Sequence, residues 1–519
     1  MTFANTLNLK TPNDLKPIKN ALISVFHKDG LLPILSALKK FDINIITTGG
    51  TYKFIKEAGF EAQTVESLTD YPSIFGGRVK TLHPIVFGGI LYRRDLENDQ
   101  KQAIDFNIPP IDLVIVDLYP FEKTLEQTNE EAEIIEKIDI GGISLIRAAA
   151  KNFKDVLTVS SINQYADLVY VLEENKGQSS LEDRKRFAMK AFNVSSHYDT
   201  SIFSYFNRKI KEDVFKSSIQ QSTVLRYGEN PHQKGVFYGD MEKVFEQLHG
   251  KAISYNNLID LDGGIALIKE FKEPTFAILK HTNACGLATD TKMVNAWKKA
   301  LAGDPISAFG GVLITNTTID LETAEEINKL FFEIILAPDF EKNALEILKT
   351  KKNRIILQAK SFDFQTLQFK TALNGVIAQD KDLETEDLYD WEEVTEIKTS
   401  DRVANDLVFA NKIVKHTKSN AIVLVKDGQL IGSGTGQTSR IDALKHAIQK
   451  AKDFGLDLHG AVMASDAFFP FADSVEFAEK EGIKAVIQPG GSIRDKESID
   501  FCNSTNMAMV FTGIRHFKH

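Results

Sequence analysis

Hydrophobic and polar residues fall along the chain in blocks that predict an α/β protein. Ala21-Leu22-Ile23-Ser24-Val25-Phe26 is an apolar run of strand length, 31–40 has helical spacing, and Ile43 to Thr47 is a second strand. Strands separated by helical segments are the mark of a parallel sheet. Asp112 to Pro120 predicts a buried strand that delivers Tyr119 to its end. Ile138-Asp139-Ile140-Gly141-Gly142 then opens a helix bearing Arg147 and Lys151. Segments 187–193 and 197–211 carry aromatic residues at helical spacing and predict two linker helices.

The later chain repeats the theme. Phe276-Ala277-Ile278-Leu279 reads as a buried strand, and Lys280-His281-Thr282-Asn283-Ala284-Cys285-Gly286 as the loop leaving it. Further strands are predicted at 235–238, 312–315, 333–337, 354–358 and 375–379, and the acidic stretch 384–399 reads as a connector. After a helix at 402–416, the runs 420–426 and 429–433 flank Asp427-Gly428, the signature of a tight hairpin. Strands at 461–465, 485–488 and 507–512 follow, separated by helices.

The totals narrow the class. A chain of 519 residues has room for two to four domains. With 43% hydrophobic and 26% charged residues it has the composition of an ordered globular protein. A net charge of −9 argues against a nucleic-acid surface. Two cysteines, Cys285 and Cys502, exclude a disulfide scaffold and a cysteine-rich metal site, and fit a reducing cytoplasm. No apolar run approaches the roughly 20 residues of a membrane span. The first twenty residues are polar, without the apolar core of a signal peptide.

Several loops carry candidate chemistry. Lys280 and His281 follow a strand directly; side by side in a low-dielectric pocket they would push off each other's proton and suit acid–base work. Thr48-Gly49-Gly50-Thr51 opens a helix, where converging N–H groups favour phosphate. Gly76-Gly77-Arg78-Val79-Lys80-Thr81 joins two glycines, two cations and a hydroxyl, a set able to wrap a phosphate or carboxamide. Tyr119, Asp139, Lys80 and Lys151 together offer proton transfer on a neutral ring, although Asp139 also suits a helix cap. Arg226 and Tyr227 lie in a polar loop, one able to clamp phosphate and the other to stack on a base. The Asp304-Pro305-Ile306-Ser307-Ala308-Phe309-Gly310-Gly311 turn allows close ligand approach. Cys285 reads as a small packed residue rather than a nucleophile, and His83 and His232 as structural.

Three motifs, Gly-Arg-Val-Lys-Thr-Leu-His-Pro, Leu-Tyr-Pro-Phe and Asp-Ile-Gly-Gly-Ile-Ser-Leu-Ile-Arg-Ala-Ala-Ala-Lys-Asn, resemble the IMP cyclohydrolase domain, whose fold is shared with methylglyoxal synthase. Leu-Arg-Tyr-Gly-Glu-Asn-Pro-His-Gln, Leu-Lys-His, Ser-Ala-Phe-Gly-Gly, Gly-Gln-Thr-Ser-Arg and Ser-Asp-Ala-Phe-Phe-Pro-Phe resemble the domain that formylates aminoimidazole carboxamide ribonucleotide (AICAR). The resemblance is to the bifunctional purine-biosynthesis family and runs from about Asn20 to the C-terminus. It implies a methylglyoxal-synthase-like parallel-sheet domain at 20–162 after an extension at 1–19, and a helical linker at 163–217. A transformylase domain of two cytidine-deaminase-like subdomains would follow, about 218–395 and 396–519.

The resemblance also implies residue roles. His281 is the base, Lys280 tunes it, and Asn420 meets the formyl oxygen. Arg226, Arg440 and Arg515 hold phosphate and carboxamide, while Phe468 and Asp473 face the folate ring and Tyr227 and Gly311 line the site. In the cyclohydrolase domain, Lys80, Tyr119, Asp139 and Lys151 act on the ring; Ser24, Lys28, Thr48, Gly50, Thr51, Arg78 and Thr81 hold phosphate and base. One departure stands out: the family's Ser-Val-Ser-Asp-Lys loop is Ser24-Val25-Phe26-His27-Lys28 here. The implied co-substrate is 10-formyltetrahydrofolate, with no zinc, since the deaminase signature is missing; a monovalent cation is left open. A homodimer with the transformylase site at its interface is implied, with nucleotide and folate as small-molecule partners, no nucleic acid and no membrane. The rival reading is a nucleotide-binding regulatory protein without catalysis.

Overall fold

The computed structural model describes residues 15–362 and 364–519. Residues 1–14, most of the expected extension, lie outside the described residues. The chain divides into two compact units, 1–219 and 220–519.

The first unit is built on five strands: β1 (Asn20–Val25), β2 (Asn44–Thr47), β3 (Gln63–Thr64), β4 (Leu113–Asp117) and β5 (Leu157–Val159). Their order is β3-β2-β1-β4-β5, and every pairing is parallel. Strands buried on both faces need apolar residues at successive positions. Accordingly Ala21, Ile23 and Ile115 join one core cluster and Leu22, Val114 and Val116 the other. Helices α1 (Gly49–Glu57) and α2 (Gly141–Lys151) begin where β2 and the loop after β4 reach the same sheet edge.

The two expected linker helices are one helix, α3 (Leu181–Ile210), of 30 residues. Asn193 to Ser196 interrupt the apolar spacing but not the helix. Ser195 Oγ donates to the Phe192 carbonyl at 3.2 Å and Ser196 Oγ to that of Asn193 at 3.1 Å, so both hydroxyls are satisfied inside the helix. Phe187 packs into one core cluster of this unit and Ala188, Ala191 and Tyr198 into the other.

The second unit holds a 12-stranded mixed sheet. Its strands are β6 (Phe245–His249), β7 (Thr275–Lys280), β8 (Asn283–Thr289), β9 (Val312–Thr315), β10 (Ile334–Ala337) and β11 (Ile355–Ala359), then β12 (Glu392–Glu393), β13 (Ile422–Lys426), β14 (Gln429–Gly434), β15 (Val462–Ser465), β16 (Ala485–Gln488) and β17 (Ala508–Phe511). The order β6-β11-β10-β9-β7-β8-β14-β13-β15-β16-β17-β12 is the same path traced twice. Each half has a hairpin, β7–β8 or β13–β14, then three mutually parallel strands on the hairpin's far side, with β8 meeting β14 at the middle.

The likeness reaches single residues. Both hairpins carry a register shift, at Ile278/Leu279 and at Leu424/Val425, and each turn follows a lysine, Lys280 or Lys426. A helix precedes each hairpin: α4 (Tyr255–Ile268) and α6 (Asp401–Lys415). Another follows: α5 (Met293–Gly303) and α7 (Arg440–Asp453). The strand glycines Gly286 and Gly432 let these following helices lie directly on the sheet, because a Cβ at either would strike the carbonyl of Ala300 or Ala447.

Candidate active sites

The first candidate site lies at the carboxyl edge of the parallel sheet. Ser24 and Thr48, from the ends of β1 and β2, share a hydroxyl contact of 3.2 Å. A Cβ on Gly49 would lie 2.7 Å from Lys80 Nζ, and one on Gly141 3.0 Å from Thr81 Oγ1. The 76–84 loop therefore sets a lysine over the start of α1 and a threonine over the start of α2. Helix starts present unpaired N–H groups, and the ammonium adds charge, so this is an anion cradle. Glu66 lies 3.6 Å from Lys80 Nζ.

Other expected residues take different posts. Thr51 is buried, and its hydroxyl donates to the Val25 carbonyl at 3.1 Å and accepts from the Val25 N–H at 3.3 Å. Its side chain locks the loop to β1 instead of reaching a ligand. Lys28 curls back onto the carbonyls of Val25 at 2.5 Å and Phe26 at 2.8 Å; burial draws its pKa down while Asp117 opposes. Arg78 is exposed and paired with Glu136. Gly50 has open space around it.

Asp139 accepts the Gly142 N–H at 2.6 Å, and its own N–H donates to Tyr198 Oη at 2.9 Å. It is both cap and candidate acid–base group: burial raises its carboxyl pKa, and the backbone N–H groups offset only part of that. Tyr119 is 42% exposed, edge-on to Phe26 at 5.3 Å. Lys137 carries no local motif, yet its ammonium lies 5.6 Å from the Phe26 ring and 5.9 Å from the Tyr119 ring. His27 Nδ1 meets Asp117 Oδ2 at 2.7 Å, so the departing residue of this loop has a carboxylate partner. Lys151 ends α2, while Asp139 precedes the start of that helix.

The second candidate site forms around the β7–β8 turn. The residues after His281 are not a loop: Asn283 to Thr289 is strand β8, and His281 and Thr282 are the two central residues of a hairpin turn, with φ of 50° and 65°. Positive φ at both positions is what such a turn demands. His281 is exposed in the single chain. Lys280 Nζ donates to the carbonyls of Phe309 at 2.8 Å and Gly310 at 3.2 Å. Gly310, with φ of 67°, faces this ammonium, whereas Gly311 is buried against the Leu279 carbonyl.

Three chain segments converge on the turn. From α4, Asp260 accepts the Thr282 N–H at 2.8 Å, and one helical turn away Asn256 donates to the Glu229 carbonyl at 3.1 Å. The loop carrying Arg226 and Tyr227, stacked at 5.2 Å, is thereby tied beside His281. Asn283 Oδ1 accepts the Lys418 N–H at 2.9 Å, placing Asn420 at the same edge. The 515–518 segment runs alongside: Ser419 N–H donates to the Lys518 carbonyl at 2.9 Å and His516 N–H to the Asp466 carbonyl at 3.0 Å, which carries Arg515 there.

Arg440 corrects an expectation. It is buried and makes three hydrogen bonds, at 2.7 Å to Asp466 Oδ1, 3.1 Å to the Phe468 carbonyl and 3.2 Å to Asn420 Oδ1. Burial lowers its pKa and Asp466 opposes. It orients Asn420 and the Phe468 segment rather than holding a ligand. Phe468 is 38% exposed, and Asp473 is exposed at the start of the next helix. Cys285 is packed, its Sγ 3.4 Å from the Ile278 carbonyl and its thiol pKa pushed up to about 12 by burial. His83 caps a helix through Ile85 N–H at 3.3 Å. Among the described residues no group of three or more His, Cys, Asp or Glu is arranged to hold a metal ion, and no helix is long and apolar enough to cross a membrane.

Two family models match the chain, and the boundary between them falls inside the first compact unit. Residues 30–144 match the model of the MGS-like domain, and residues 149–450 match that of the AICARFT/IMPCHase bienzyme. The bifunctional purine biosynthesis protein PurH of Bacteroides thetaiotaomicron is 59% identical over 507 residues, 98% of this chain and 100% of the relative. The PurH of Caldicellulosiruptor saccharolyticus is 46% identical over 516 residues, 96% of this chain and 100% of the relative. That of Acetivibrio thermocellus is 46% identical over 517 residues, 97% and 100% respectively. With two arranged sites, a parallel-sheet unit matching the MGS-like model and this identity over nearly its whole length, the chain belongs to the AICARFT/IMPCHase bienzyme family.

Proposed function

We propose that the second unit transfers the formyl group and the first closes the ring. The chain is a bifunctional enzyme of purine biosynthesis, an AICAR formyltransferase and IMP cyclohydrolase. The regulatory reading without catalysis has no support in the comparisons.

The 5-amino group of AICAR is a weak nucleophile, because its lone pair is delocalised into the imidazole and carboxamide. Formyl transfer from 10-formyltetrahydrofolate needs a base at that amine, a donor for the developing oxyanion, and a proton for the departing N10. The bond between the amine nitrogen and the formyl carbon forms as the N10–formyl bond breaks; the amine loses a proton and N10 gains one. His281, exposed at the turn, takes the amine proton with help from the substrate's carboxamide. Asn420, oriented by Arg440, serves the formyl oxygen through its amide N–H. Arg226 and Arg515, exposed at the same edge, hold phosphate and carboxamide, with Phe468 and Asp473 against the folate. The observation that carries this reading is the bond from Lys418 N–H to Asn283, which sets the Asn420 segment against the His281 turn.

In ring closure the carboxamide nitrogen attacks the formyl carbon and water leaves. The cradle of Ser24, Thr48, Lys80 and Thr81 fixes the nucleotide. Tyr119 and Asp139, whose raised pKa suits it to keep or give a proton, act on the ring. The reaction is intramolecular, so alignment supplies much of the rate. Lys151, at the other end of α2, supplies a further ammonium for proton transfer.

The proposal includes a cytoplasmic homodimer with the formyl-transfer site at its interface. The hairpin at 367–380, with Phe369, Val376 and Ile377 exposed, supports a pairing surface. A monovalent cation has one observation in its favour: the buried Asp466 Oδ2 has no protein partner. A potassium requirement in formyl transfer is its test.

The deciding experiment follows tetrahydrofolate release and IMP formation from AICAR and 10-formyltetrahydrofolate in wild type and His281→Ala. Loss of formyl transfer, with supplied formyl-AICAR still cyclised, is expected. An intact formyl transfer in His281→Ala removes His281 from the mechanism.

A further inference from the structure

Lys280 is not free to move. Its ammonium is held by the Phe309 and Gly310 carbonyls, so its position is set by the turn that presents them. That turn is organised by Asp304. Asp304 Oδ1 accepts the Ser307 N–H at 2.9 Å, Oδ2 accepts Ser307 Oγ at 2.7 Å, and the Asp304 carbonyl accepts the Ala308 N–H at 3.1 Å. Gly310 N–H in turn reaches the Phe331 carbonyl at 2.8 Å.

Asp304 is buried, and a buried carboxylate needs a partner. The partner comes from the other half of the sheet: Lys450, on α7, pairs with Asp304 Oδ2. Burial works to raise the Asp304 carboxyl, but the Lys450 ammonium and the Ser307 donors outweigh it and hold its pKa below the usual range. Lys280, Cys285, Asp304, Ser307, Ser433 and Lys450 line one cavity of about 300 Å³. An ion pair between a buried carboxylate and a half-exposed lysine, spanning two halves, fixes geometry more surely than it adds stability.

We propose that Asp304, held by Lys450, is a positioning residue for formyl transfer: it fixes the 304–311 turn whose carbonyls hold Lys280. This rests on the proposed function and on the reading that Lys280, next to His281 at the end of β7, assists proton delivery in formyl transfer. Asp304 is not a catalytic residue; it acts through Lys280.

The test is a set of variants of the full chain, assayed for formyl transfer with supplied formyl-AICAR cyclisation as the folding control. Asp304→Asn is expected to lower kcat for formyl transfer about 10- to 100-fold, the scale of a small misplacement, with KM for AICAR within about twofold. Lys450→Met, altered at a partly exposed side chain, is expected to follow it, and Lys450→Arg to restore most of the rate. In a Lys280→Ala background, Asp304→Asn is expected to cost nothing further. If Lys280→Ala lowers kcat while Asp304→Asn and Lys450→Met keep the wild-type value, the positioning role is overturned and the role of Lys280 stands. If Lys280→Ala itself keeps the wild-type kcat, the role of Lys280 fails and the latch fails with it. Equal losses in Lys450→Arg and Lys450→Met, or a further loss in the Lys280→Ala background, also overturn the proposal.

Discussion

The two hairpin turns of the large sheet share a backbone plan and differ in everything that matters for chemistry. At the second, Asp427 and Gly428 both donate their N–H to the Asp406 carboxylate, at 2.9 and 2.8 Å, and Arg402 pairs with Asp427 at 2.6 Å. That turn is closed on itself. At the first, Asp260 takes only the Thr282 N–H, and His281 is exposed. The decisive difference is what arrives from outside. The first turn meets the Lys418–Asn420 segment, with the 515–518 segment beside it; the second meets the end of β8, where the Thr289 N–H donates to the Gly428 carbonyl. Chemistry settles where a repeated frame gathers distant segments, not wherever the frame recurs.

The comparison breaks most sharply on exchanging turn residues. His281→Asp with Thr282→Gly copies the second turn into the first. It should leave the thermal midpoint close to wild type while formyl transfer falls about 10²- to 10⁴-fold. Retained activity would show that the turn's residues carry no chemistry.

The 515–518 segment belongs to the second half alone, and its anchor has a pH signature. His516 is 2% exposed, at 2.6 Å from Asp382 and 3.2 Å from Glu386. Burial works against its proton, but the two carboxylates outweigh it and carry the imidazole to about 9. A folded-state pKa above the unfolded value of about 6.5 stabilises fully below that pH, and the contribution is lost as pH rises through about 9. Urea midpoints should fall across this window by the equivalent of about 3 kcal/mol, and His516→Gln should flatten the curve.

Gly286→Ala and Gly432→Ala test whether the frame is alike in both halves. Each should cost about 1–3 kcal/mol by urea unfolding, since each drives a methyl into a helix carbonyl. A cost in one half only would break the equivalence. The smallest effect should come from the caps: Asp406→Ala, which frees two N–H groups, should cost about 2 kcal/mol, and Asp260→Ala, which frees one, about 1 kcal/mol.

How much of this was legible depended on how local the cause was. The strands predicted at 21–26, 112–120 and 276–279 rest on apolar runs, and the structure has strands there, the second ending at Asp117, two residues before Tyr119. The hairpin at Asp427-Gly428 was readable because its turn residues are diagnostic. Its counterpart at His281-Thr282 was not, because Asn283-Ala284-Cys285-Gly286 looks like loop chemistry; Gly286 is small because α5 lies on it, a tertiary cause. Arg440 looked like a ligand clamp because its three partners, Asn420, Asp466 and Phe468, are remote in sequence. Lys137 had no motif to mark it.

The seam at β8 and β14 has a consequence of its own. Two copies of one plan meeting edge to edge by antiparallel strands, Ala288 opposite Gln429, is the geometry of a two-fold symmetric pair of subunits. In such a pair every substitution appears twice, once on each side of the axis, so a residue good for one side and bad for the other is unavailable. Joining both copies in one chain lifts that constraint. One lysine-led turn is free to acquire His281 while the other keeps the Asp-Gly that folds best, and asymmetry becomes heritable.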